Sequence, residues 1–474
     1  MTSTIQTSAA VARPVRPALA LTVLAATQFL VILNASSVNL AMPSVVADFG
    51  LSAALSVWVV SGYLLVFGGL LLFGGRLGDV VGRRRLLVVG ATVFGAAALF
   101  GGLAPTAGAL IAARAVQGGA AAVMAPAALS LLTTTFSDPT ARRRALGVWG
   151  AVASSGGAAG VLAGGGLTAV WGWRAVLLLN VPFVIALVAA IPSLVPASPR
   201  VAGSRLNVLG ALLSFSAIAA IIAGLTLSSS NGWLSPVTLV PLLGGVFVLV
   251  VFLVTEKRSE DPLIPLHLLT RWPSVGGHLG MVSIAFALYP TMLISSIMLQ
   301  TQLGFSPLGA GLMMLPLSLA TVAASLSTPR IIARTNMVRS ITTGLIVVII
   351  ALVALATTIS LGTPLAVLVP SLIVFGAGIG LAVTSATNLA LSGAEPREAG
   401  SASGLLQTAQ QLGGAVGLTI VTTIAAAVGN QAASAAGQVH AGGYALGLIV
   451  AAGLAAAATI TLAVRTRSSV SAGQ

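Results

Sequence analysis

The sequence predicts an all-α polytopic membrane protein in which fourteen transmembrane helices form two pseudo-symmetric six-helix bundles plus two inserted helices. Three observations support this fold class. Of the 474 residues, 57% are hydrophobic and 6% are charged, whereas a soluble domain has about a quarter charged residues. Apolar runs of about 20 residues, long enough to cross a bilayer, recur along the whole chain. Glycines and arginines of the first six spans reappear at matching spacings in the last six.

The predicted spans follow from hydropathy, and each must be helical because a lipid-exposed backbone has to satisfy its own hydrogen bonds. The first six are 19–43, 55–75, 86–105, 107–135, 145–170 and 174–196. The inserted pair is 207–227 and 235–256, and the last six are 273–301, 307–328, 338–358, 363–390, 401–428 and 441–465. The expected organisation is a cytoplasmic tail (1–18), a first bundle (19–200), the inserted helices (201–262), a second bundle (263–466) and a second cytoplasmic tail (467–474).

Charge placement supports the span count. If the N-terminus is inside, twenty of the twenty-two lysines and arginines fall in segments on the inner side, and only Arg114 and Arg174 do not. The positive-inside rule therefore predicts an even number of spans with both termini in the cytoplasm, and we expect the plasma membrane as the location. Arg13 and Arg16 precede the first apolar run as in a signal peptide, but this run is too long for a cleaved one, so we expect an uncleaved span.

Composition also excludes several classes of function. The formal charge of +14 comes from arginines scattered over loops, which indicates membrane orientation rather than nucleic-acid binding. The chain has no cysteine, which excludes disulfides, thiol catalysis and Cys-ligated metals. The three histidines (His267, His278 and His440) are scattered without ligand spacing, and we expect neither a metal nor a cofactor. The expected partners are the lipid bilayer and a small-molecule substrate, and the expected state is a monomer.

An internal repeat relates the two bundles. The fifth span carries four glycines that recur in the thirteenth at an offset of 257 residues: Gly147, Gly156, Gly157 and Gly160 match Gly404, Gly413, Gly414 and Gly417. Arg76 and Arg85 match Arg330 and Arg339 at an offset of 254. Chance matching among 54 glycines is the alternative interpretation. Repeated halves around a central site are the plan of alternating-access carriers.

A charged loop separates the second and third spans. Residues 74–85 read GGRLGDVVGRRR, and because three adjacent arginines are too costly for hydrocarbon, this loop must lie at a membrane face. Its glycines permit a tight turn and close helix approach. Asp79, one of eight acidic residues, stands among four arginines. It either balances local charge or forms a contact between moving helices.

This loop resembles the loop between helices two and three of major facilitator superfamily transporters. Four further stretches resemble the fourteen-helix drug:proton antiporter branch of that superfamily: NASSVNLAMP at 34–43, RAVQGG at 114–119, WGWR and NVP at 171–174 and 180–182, and LQTQLGFSPLGAGL at 299–312. The resemblance covers most of the chain. It implies that Asp79 closes the cytoplasmic side by meeting a helix end of the second bundle, with support from Gly75, Gly82, Arg83 and Arg84.

The chain departs from that branch in the first span, where Asn34 stands at a position that usually carries a carboxylate. An amide cannot take up and release a proton, and on our span limits none of the eight acids lies deep inside a helix. Three explanations stay open: coupling through Asp48 near the outer end of span one, coupling through His278 early in span nine, or no proton coupling. A solvated turn for Asp48 and a packing role for His278 are the alternative interpretations.

Arg114 is the strongest intramembrane feature, since a charge at the bilayer centre costs about 2.5–3.5 kcal/mol. Gln117 shares its helix face, and Asn34 lies with Thr27 and Ser37 on one face of span one. Arg114 could therefore donate to the Asn34 carbonyl. The resemblance ties this arginine to proton relay, but without the acid we expect a polar structural role. The alternative is an arginine satisfied by backbone carbonyls.

Two further groups of candidates follow from residue type. Small residues in the fifth span allow close helix approach, for static packing or for gating: Gly156, Gly157, Gly160 and Gly164. An apolar cavity with scattered polar groups suits drug-like ligands, and the candidate lining residues are Tyr63, Phe286, Tyr289, Met298, Gln300, Gln407 and Gln411. Each of these is alternatively an ordinary packing residue.

These observations predict a secondary active transporter that exports small, largely apolar organic compounds such as drugs or antibiotics in exchange for protons. The lack of deep acids argues against a strongly cationic substrate. A facilitator or importer of a metabolite or lipid without proton coupling is one alternative, and a transport-dead sensor is another. An enzyme is the least favoured class because the sequence has no Ser/His, paired-acid or metal constellation.

Overall fold

The computed structural model describes residues 17–198, 206–361, 365–432 and 441–471, and every regular element in these ranges is helical. The first half comprises α1 (Pro17–Phe49), α2 (Ala53–Val81), α3 (Arg83–Gly102), α4 (Ala107–Thr135), α5 (Pro139–Trp171), α6 (Trp173–Leu178) and α7 (Asn180–Leu194). The inserted pair is α8 (Val208–Asn231) and α9 (Pro236–Glu256). The second half comprises α10 (Trp272–Ile297), α11 (Pro307–Arg334), α12 (Met337–Leu361), α13 (Leu365–Leu391), α14 (Ala399–Ala432) and α15 (Ala441–Ser471).

The helices account for the predicted spans. Thirteen helices in the described part of the chain are long and apolar enough to cross a membrane, with α6 and α7 counted as one. The predicted span 401–428 lies within α14, whose 34 residues include a run of serines and glutamines. This helix packs against α2 and α10, and its polar side chains Ser401, Ser403 and Gln407 are buried. The fourteen-helix fold class is therefore confirmed.

Three helix ends differ from the predicted limits. The sixth span is broken at Leu179, between α6 and α7. The ninth span ends in a single π turn, Met298–Gln302, which continues from α10. The last helix runs to Ser471 rather than to 465. The predicted N-terminal tail, and the loop arginines Arg200 and Arg205, lie almost entirely outside the described residues.

Local sequence fixes where the key helices begin and end. The Asp138 side chain accepts the backbone N–H of Ala141 at 2.6 Å, and Pro139 follows it at the first helical position, so α5 begins there. Gly82 joins α2 to α3 with φ of 102°, a value that side chains with a Cβ rarely adopt. The charged loop is therefore not a loop at all but a one-residue break between two long helices.

The internal repeat is visible as matched helix pairs. In the first half α5 crosses α1, and in the second half α14 crosses α10, with glycines at both crossings. A Cβ on any of four glycines would press on a backbone carbonyl of the partner helix: Gly156 on Phe29, Gly160 on Leu33, Gly413 on Val282 and Gly417 on Phe286. The glycines are 257 residues apart between the halves and their partners 253 apart. Because both the glycines and the residues they contact correspond between the halves, the repeat is not explained by chance spacing of glycines.

The two halves meet along two seams that obey the same symmetry. At one seam α14 packs on α2, and at the other α5 packs on α11. Gly404 of α14 lies against the carbonyl of Leu71, while Gly147 of α5 lies against the carbonyl of Ser325. Small residues at both crossings let the backbones approach closely.

The inserted helices pack against the α2–α14 seam. The Trp233 indole, just after α8, donates to Thr423 Oγ1 at 2.9 Å, and Thr419 Oγ1 donates to the Leu225 carbonyl at 3.4 Å. The aromatic ring of Phe215 fills the space beside Gly69 of α2. Helix α8 thus touches a helix from each half.

Candidate functional site

The carboxylate of Asp79 lies at the end of the α2–α14 seam and is 1% exposed. Its Oδ1 accepts the backbone N–H of Gly400 at 3.1 Å, and its Oδ2 accepts the backbone N–H of Ser401 at 3.1 Å. The Ser401 hydroxyl donates to Oδ2 at 3.3 Å. These N–H groups belong to the first turn of α14, where an anion is stabilised by the helix dipole and by otherwise unpaired donors.

Arg83 completes the surroundings of this carboxylate. Its Nε and Nη2 donate to Asp79 Oδ1 at 2.9 and 2.7 Å, and Nη2 also donates to the carbonyl of Pro396 at 2.5 Å. Arg83 is 6% exposed, so the pair is largely shielded from solvent. One buried ion pair of the first half therefore binds the chain of the second half at two places. We name Asp79, Arg83, Pro396, Gly400 and Ser401 the latch cluster, and the end of the bundle that holds it the latch end.

The other predicted loop residues have different surroundings. Gly75 faces Gly400 so closely that a Cβ would overlap the Gly400 carbonyl. Arg84 points away from the second half: its Nη1 donates to the carbonyls of Pro192 and Val195, at 3.3 and 3.2 Å, near the end of α7. The structure therefore brings Gly75, Asp79 and Arg83 to the latch cluster and places Arg84 in the packing of the first half.

A second polar cluster is buried inside the first half, around Arg114. The guanidinium Nη1 donates to Gln117 Oε1 at 2.6 Å, and Nε donates to the Val59 carbonyl at 3.3 Å. The guanidinium carbon lies 4.3 Å from the centre of the Tyr63 ring, a cation–π distance. The expected hydrogen bond from Arg114 to the Asn34 carbonyl is not the one formed: Asn34 Oδ1 instead accepts Asn180 Nδ2 at 3.3 Å. The difference arises because α1 also packs against α7, which brings the Asn180 amide to Asn34.

Several buried polar atoms of this cluster have no hydrogen-bond partner among the described residues. They are Asn34 Nδ2, Tyr63 Oη, Gln117 Nε2 and Asn180 Oδ1, and the Tyr63 hydroxyl lies beside the Asn34 side chain. A cavity of about 10 Å³ adjoins the cluster and is lined by Arg114 and apolar side chains that include Val59 and Trp173. That volume is about the minimum that admits one water molecule.

The remaining candidates are dispersed. His278 Nδ1 lies 2.7 Å from the Ser274 carbonyl of its own helix, and its Nε2 is buried without a described partner. Among the cavity candidates only Tyr289 and Gln411 are hydrogen-bonded to each other, at 3.3 Å. Gln300 and Gln407 donate within their own helical segments, to Ser296 and Ser403. Phe286 and Met298 are buried in the second half. Tyr289 also lies near Tyr63 of the first half, and a shared cavity for these candidates stays a prediction.

The glycines of α5 differ from one another. Gly156, Gly160 and Gly164 press on backbone atoms of α1, and at Gly164 the carbonyl of Ser37 is the nearest atom. Gly157 has only the Ile32 side chain nearby, at 4.0 Å from an added Cβ. Three of the four predicted packing glycines therefore lie in the α1–α5 contact, and Gly157 lies beside it.

Sequence reasoning missed two kinds of partner. Asn180 stands out in the sequence only through the NVP motif, although an amide in an apolar span is itself a signal. Gly400 and Ser401 contribute main-chain N–H groups to the latch cluster, and main-chain donors leave no trace in residue type.

Family comparison gives the context for both clusters. Residues 24–207 and 188–418 match the family model described as Major Facilitator Superfamily. The chain belongs to the major facilitator superfamily. It is a multi-pass membrane transporter rather than an enzyme.

Relatives within this superfamily match most of the chain. The puromycin resistance protein of Streptomyces alboniger is 40% identical over 85% of this chain and 81% of its own length. The cephamycin export protein of Amycolatopsis lactamdurans is 38% identical over 84% of this chain and 82% of its own. The multidrug efflux pump LfrA of Mycolicibacterium smegmatis is 30% identical over 87% and 81%. The human organic anion transporter MFSD10 shares the fold, with a TM-score of 0.69 and 17% identity over 94% of this chain and 99% of that one.

The acids of this superfamily member lie outside the Arg114 cluster. Asp48, at the end of α1, accepts Arg174 Nη1 at 2.7 Å and the Trp173 indole at 3.0 Å, in an ion pair that is more than 40% exposed on both sides. Glu256 accepts Asn207 Nδ2 at 3.0 Å and the backbone N–H of Ile264 at 3.1 Å, where it secures the end of α9. All eight acids are in the described residues, and none pairs with Arg114.

Proposed function

We propose that this protein exports small, largely apolar organic compounds of the antibiotic type across the plasma membrane by alternating access. The observation that carries the proposal is its likeness, along more than four fifths of the chain, to a puromycin resistance protein and a cephamycin export protein. Two matched halves that meet along two seams provide the mechanical basis, since opposite rocking at the seams would expose a central site to either side in turn.

The arginines at the latch end support a cytoplasmic location for it. Arg83 belongs to the latch cluster and Arg84 and Arg85 follow it, and the positive-inside rule assigns such residues to the cytoplasm. With this orientation both termini are cytoplasmic. The latch cluster then holds the inner rim closed, because opening it would strip the Asp79 carboxylate of donors from α14.

Proton exchange is the proposed driving reaction, with a facilitator as the alternative. The alternative has a specific observation in its favour: position 34 is an amide, and the nearest acid of α1 is Asp48 in an exposed ion pair. A transporter without a buried carboxylate that can release a proton has no obvious coupling group. We expect a monomer, since two halves on one chain already provide both sides of the central site.

Transport into everted membrane vesicles tests the proposal. A fluorescent, weakly charged dye or puromycin should accumulate in vesicles that contain the protein, faster with an imposed acid interior than without one. Vesicles from the same cells without the protein serve as the control for leak. Accumulation that is independent of the pH gradient would establish the facilitator. No protein-dependent flux of puromycin, of a cephamycin or of several dyes would contradict export.

A further inference from the structure

The segment that connects α9 to α10, residues 257–271, folds back against the bundle at the latch end. Leu263, Ile264 and Leu268 in this segment are 0%, 3% and 0% exposed, so three of its side chains are anchored in the protein interior. Glu256 Oε2, at the end of α9, accepts the backbone N–H of Ile264 at 3.1 Å and fixes the course of the chain. We name residues 257–271 the strap.

The base of the strap is attached to the inserted helices. Asn207, the residue that caps the start of α8, donates through Nδ2 to Glu256 Oε1 at 3.0 Å and to Ser259 Oγ at 3.2 Å. Helix α8 in turn packs against both α2 and α14. The strap therefore begins at a point that is fixed beside the α2–α14 seam.

One side chain of the strap binds the first half of the transporter. Asp261 Oδ1 accepts Arg76 Nη2 at 3.2 Å, and the two side chains are 31% and 13% exposed, so this ion pair is partly shielded from solvent. Arg76 lies in α2, three residues before Asp79 of the latch cluster. The contact therefore joins the strap to the α2 side of the α2–α14 seam.

A second side chain of the strap contacts the second half. His267 Nε2 lies 3.4 Å from Glu398 Oε2, and the same oxygen accepts the backbone N–H of Glu395 at 3.2 Å in the short turn that precedes α14. This turn also contains Pro396, whose carbonyl accepts Arg83 in the latch cluster. The strap therefore reaches both sides of the seam that the latch cluster closes.

We propose that the strap is a second contact that holds the latch end closed, independently of Asp79. His267 follows Asp261 by only six residues. Because buried side chains fix the chain between them, the strap has little slack to follow α2 and α14 when they move apart. Opening of the latch end must then break at least one of the two strap contacts. The inference rests on the proposed role of the latch end as a gate, and it requires no particular substrate.

Labelling of a single thiol measures opening of the latch end without any substrate. Position 403 on α14 is suitable, because Ser403 is 0% exposed and a cysteine there would react with an impermeant maleimide only when the seam opens. Everted vesicles present the proposed cytoplasmic face to the reagent. Two substitutions loosen the strap: Asp261→Asn keeps the size of the side chain and removes its charge, and His267→Leu removes the ring that faces Glu398. Glu260→Gln is the matched control, since Glu260 is an exposed acid next to Asp261 on the same strap.

A partly exposed ion pair should favour the closed state by a factor of about two to five, so losing both contacts should speed labelling about tenfold. Glu260→Gln should be labelled at the wild-type rate. Adding both strap substitutions to Asp79→Asn should give faster labelling than Asp79→Asn alone, because the two contacts act independently.

A doubly substituted strap that is labelled no faster than Glu260→Gln overturns the proposal. Equal labelling of Asp79→Asn with and without the strap substitutions also overturns it, because the strap would then act only through the latch cluster. If the double variant does not fold, Asp261→Asn alone decides by the same comparisons. Absence of substrate flux in the wild type would contradict export but would leave these labelling rates unaffected.

Discussion

The carboxylate of Asp79 accepts the backbone N–H of Gly400 at 3.1 Å, although 321 residues separate the two along the chain. This bond joins the first half of the transporter to the first turn of α14 in the second. Because Arg83 binds both Asp79 and the Pro396 carbonyl, the contact combines an ion pair, a helix cap and a main-chain bond in one buried place. Removing this contact should therefore weaken the packing of α2 on α14 along the whole seam.

We expect Asp79→Asn to open the latch end and to lower transport about tenfold. Hydrogen bonds to a charged group contribute about 1.5–3 kcal/mol, and the neutral amide loses the attraction of both Arg83 and the α14 dipole. The chain has no cysteine, so a cysteine placed at the buried Ser403 is its only thiol. Labelling of this thiol by an impermeant maleimide in everted vesicles should rise severalfold. Glu260→Gln, which removes an exposed acid beyond α9, should leave labelling unchanged, and equal labelling of both variants would refute the latch.

Gly75→Ala should have a similar effect by a steric route. Its added Cβ would overlap the Gly400 carbonyl, and backbone cannot move aside as a flexible side chain can. Gly78→Ala is the matched control on the same helix, because its Cβ would be 3.5 Å from Arg83 Cγ, an ordinary contact. The measurement is again labelling of the thiol at position 403. A Gly75→Ala protein labelled no faster than Gly78→Ala would show that the seam tolerates the extra methyl group.

The α1–α5 crossing makes a prediction about stability. Gly164→Ala should lower the free energy of unfolding by about 1–3 kcal/mol, since its Cβ would overlap the Ser37 carbonyl. Gly165→Ala, one residue on, meets no atom within 4 Å and should be neutral or slightly stabilising. Thermal unfolding of the two purified variants compares them. Equal midpoints would indicate that α5 shifts freely on α1.

The second seam has no latch, and one substitution should supply it. Ala333 lies 254 residues after Asp79, on the α11 helix that packs against α5. By the internal symmetry, Arg143 and Arg144 in the second turn of α5 correspond to Gly400 and Ser401, and an acid at position 333 is expected to face them. Ala333→Asp should therefore favour the closed latch end, with slower dye transport and less labelling at position 403. Faster labelling would mean that the two seams are not equivalent at this end.

Asp48→Asn should transport within about twofold of the wild type and keep the same pH dependence. The Asp48–Arg174 pair is over 40% exposed on both sides, and exposed pairs contribute about 0–1 kcal/mol. Dye accumulation in everted vesicles, measured over a range of external pH, is the readout. A lost or shifted pH response in Asp48→Asn alone would identify Asp48 as a coupling residue.

Hydropathy and charge placement were enough to predict the helices, because the bilayer allows the backbone few alternatives. The glycine repeat predicted which helices correspond, and the structure shows the same glycines at the matched crossings. The break at Leu179 has a signal in the sequence, because Pro182 lacks the N–H that would bond the Leu178 carbonyl in a continuous helix.

The contacts between the polar side chains of the site were harder to predict from the sequence than the helices. Arg84 belongs to the same triplet as Arg83, yet it binds the end of α7, because adjacent residues on a helix point about 100° apart. Asn34 was expected to accept from Arg114 and instead accepts from Asn180, a contact between α1 and α7 that hydropathy does not predict. Residue type indicated which side chains were polar and buried, but not which of them would meet.

Helix α8 shields one flank of the molecule and leaves the other bare. It packs over the seam between α2 and α14, where Trp233 is hydrogen-bonded to Thr423 and Leu225 to Thr419. In the described structure no inserted helix packs over the seam between α5 and α11. The α5–α11 crossing, where an added Cβ on Gly311 would overlap the Val161 side chain, is thus the seam that lipid tails can reach directly. A compound arriving from the lipid would find this seam uncovered and the opposite one covered by α8.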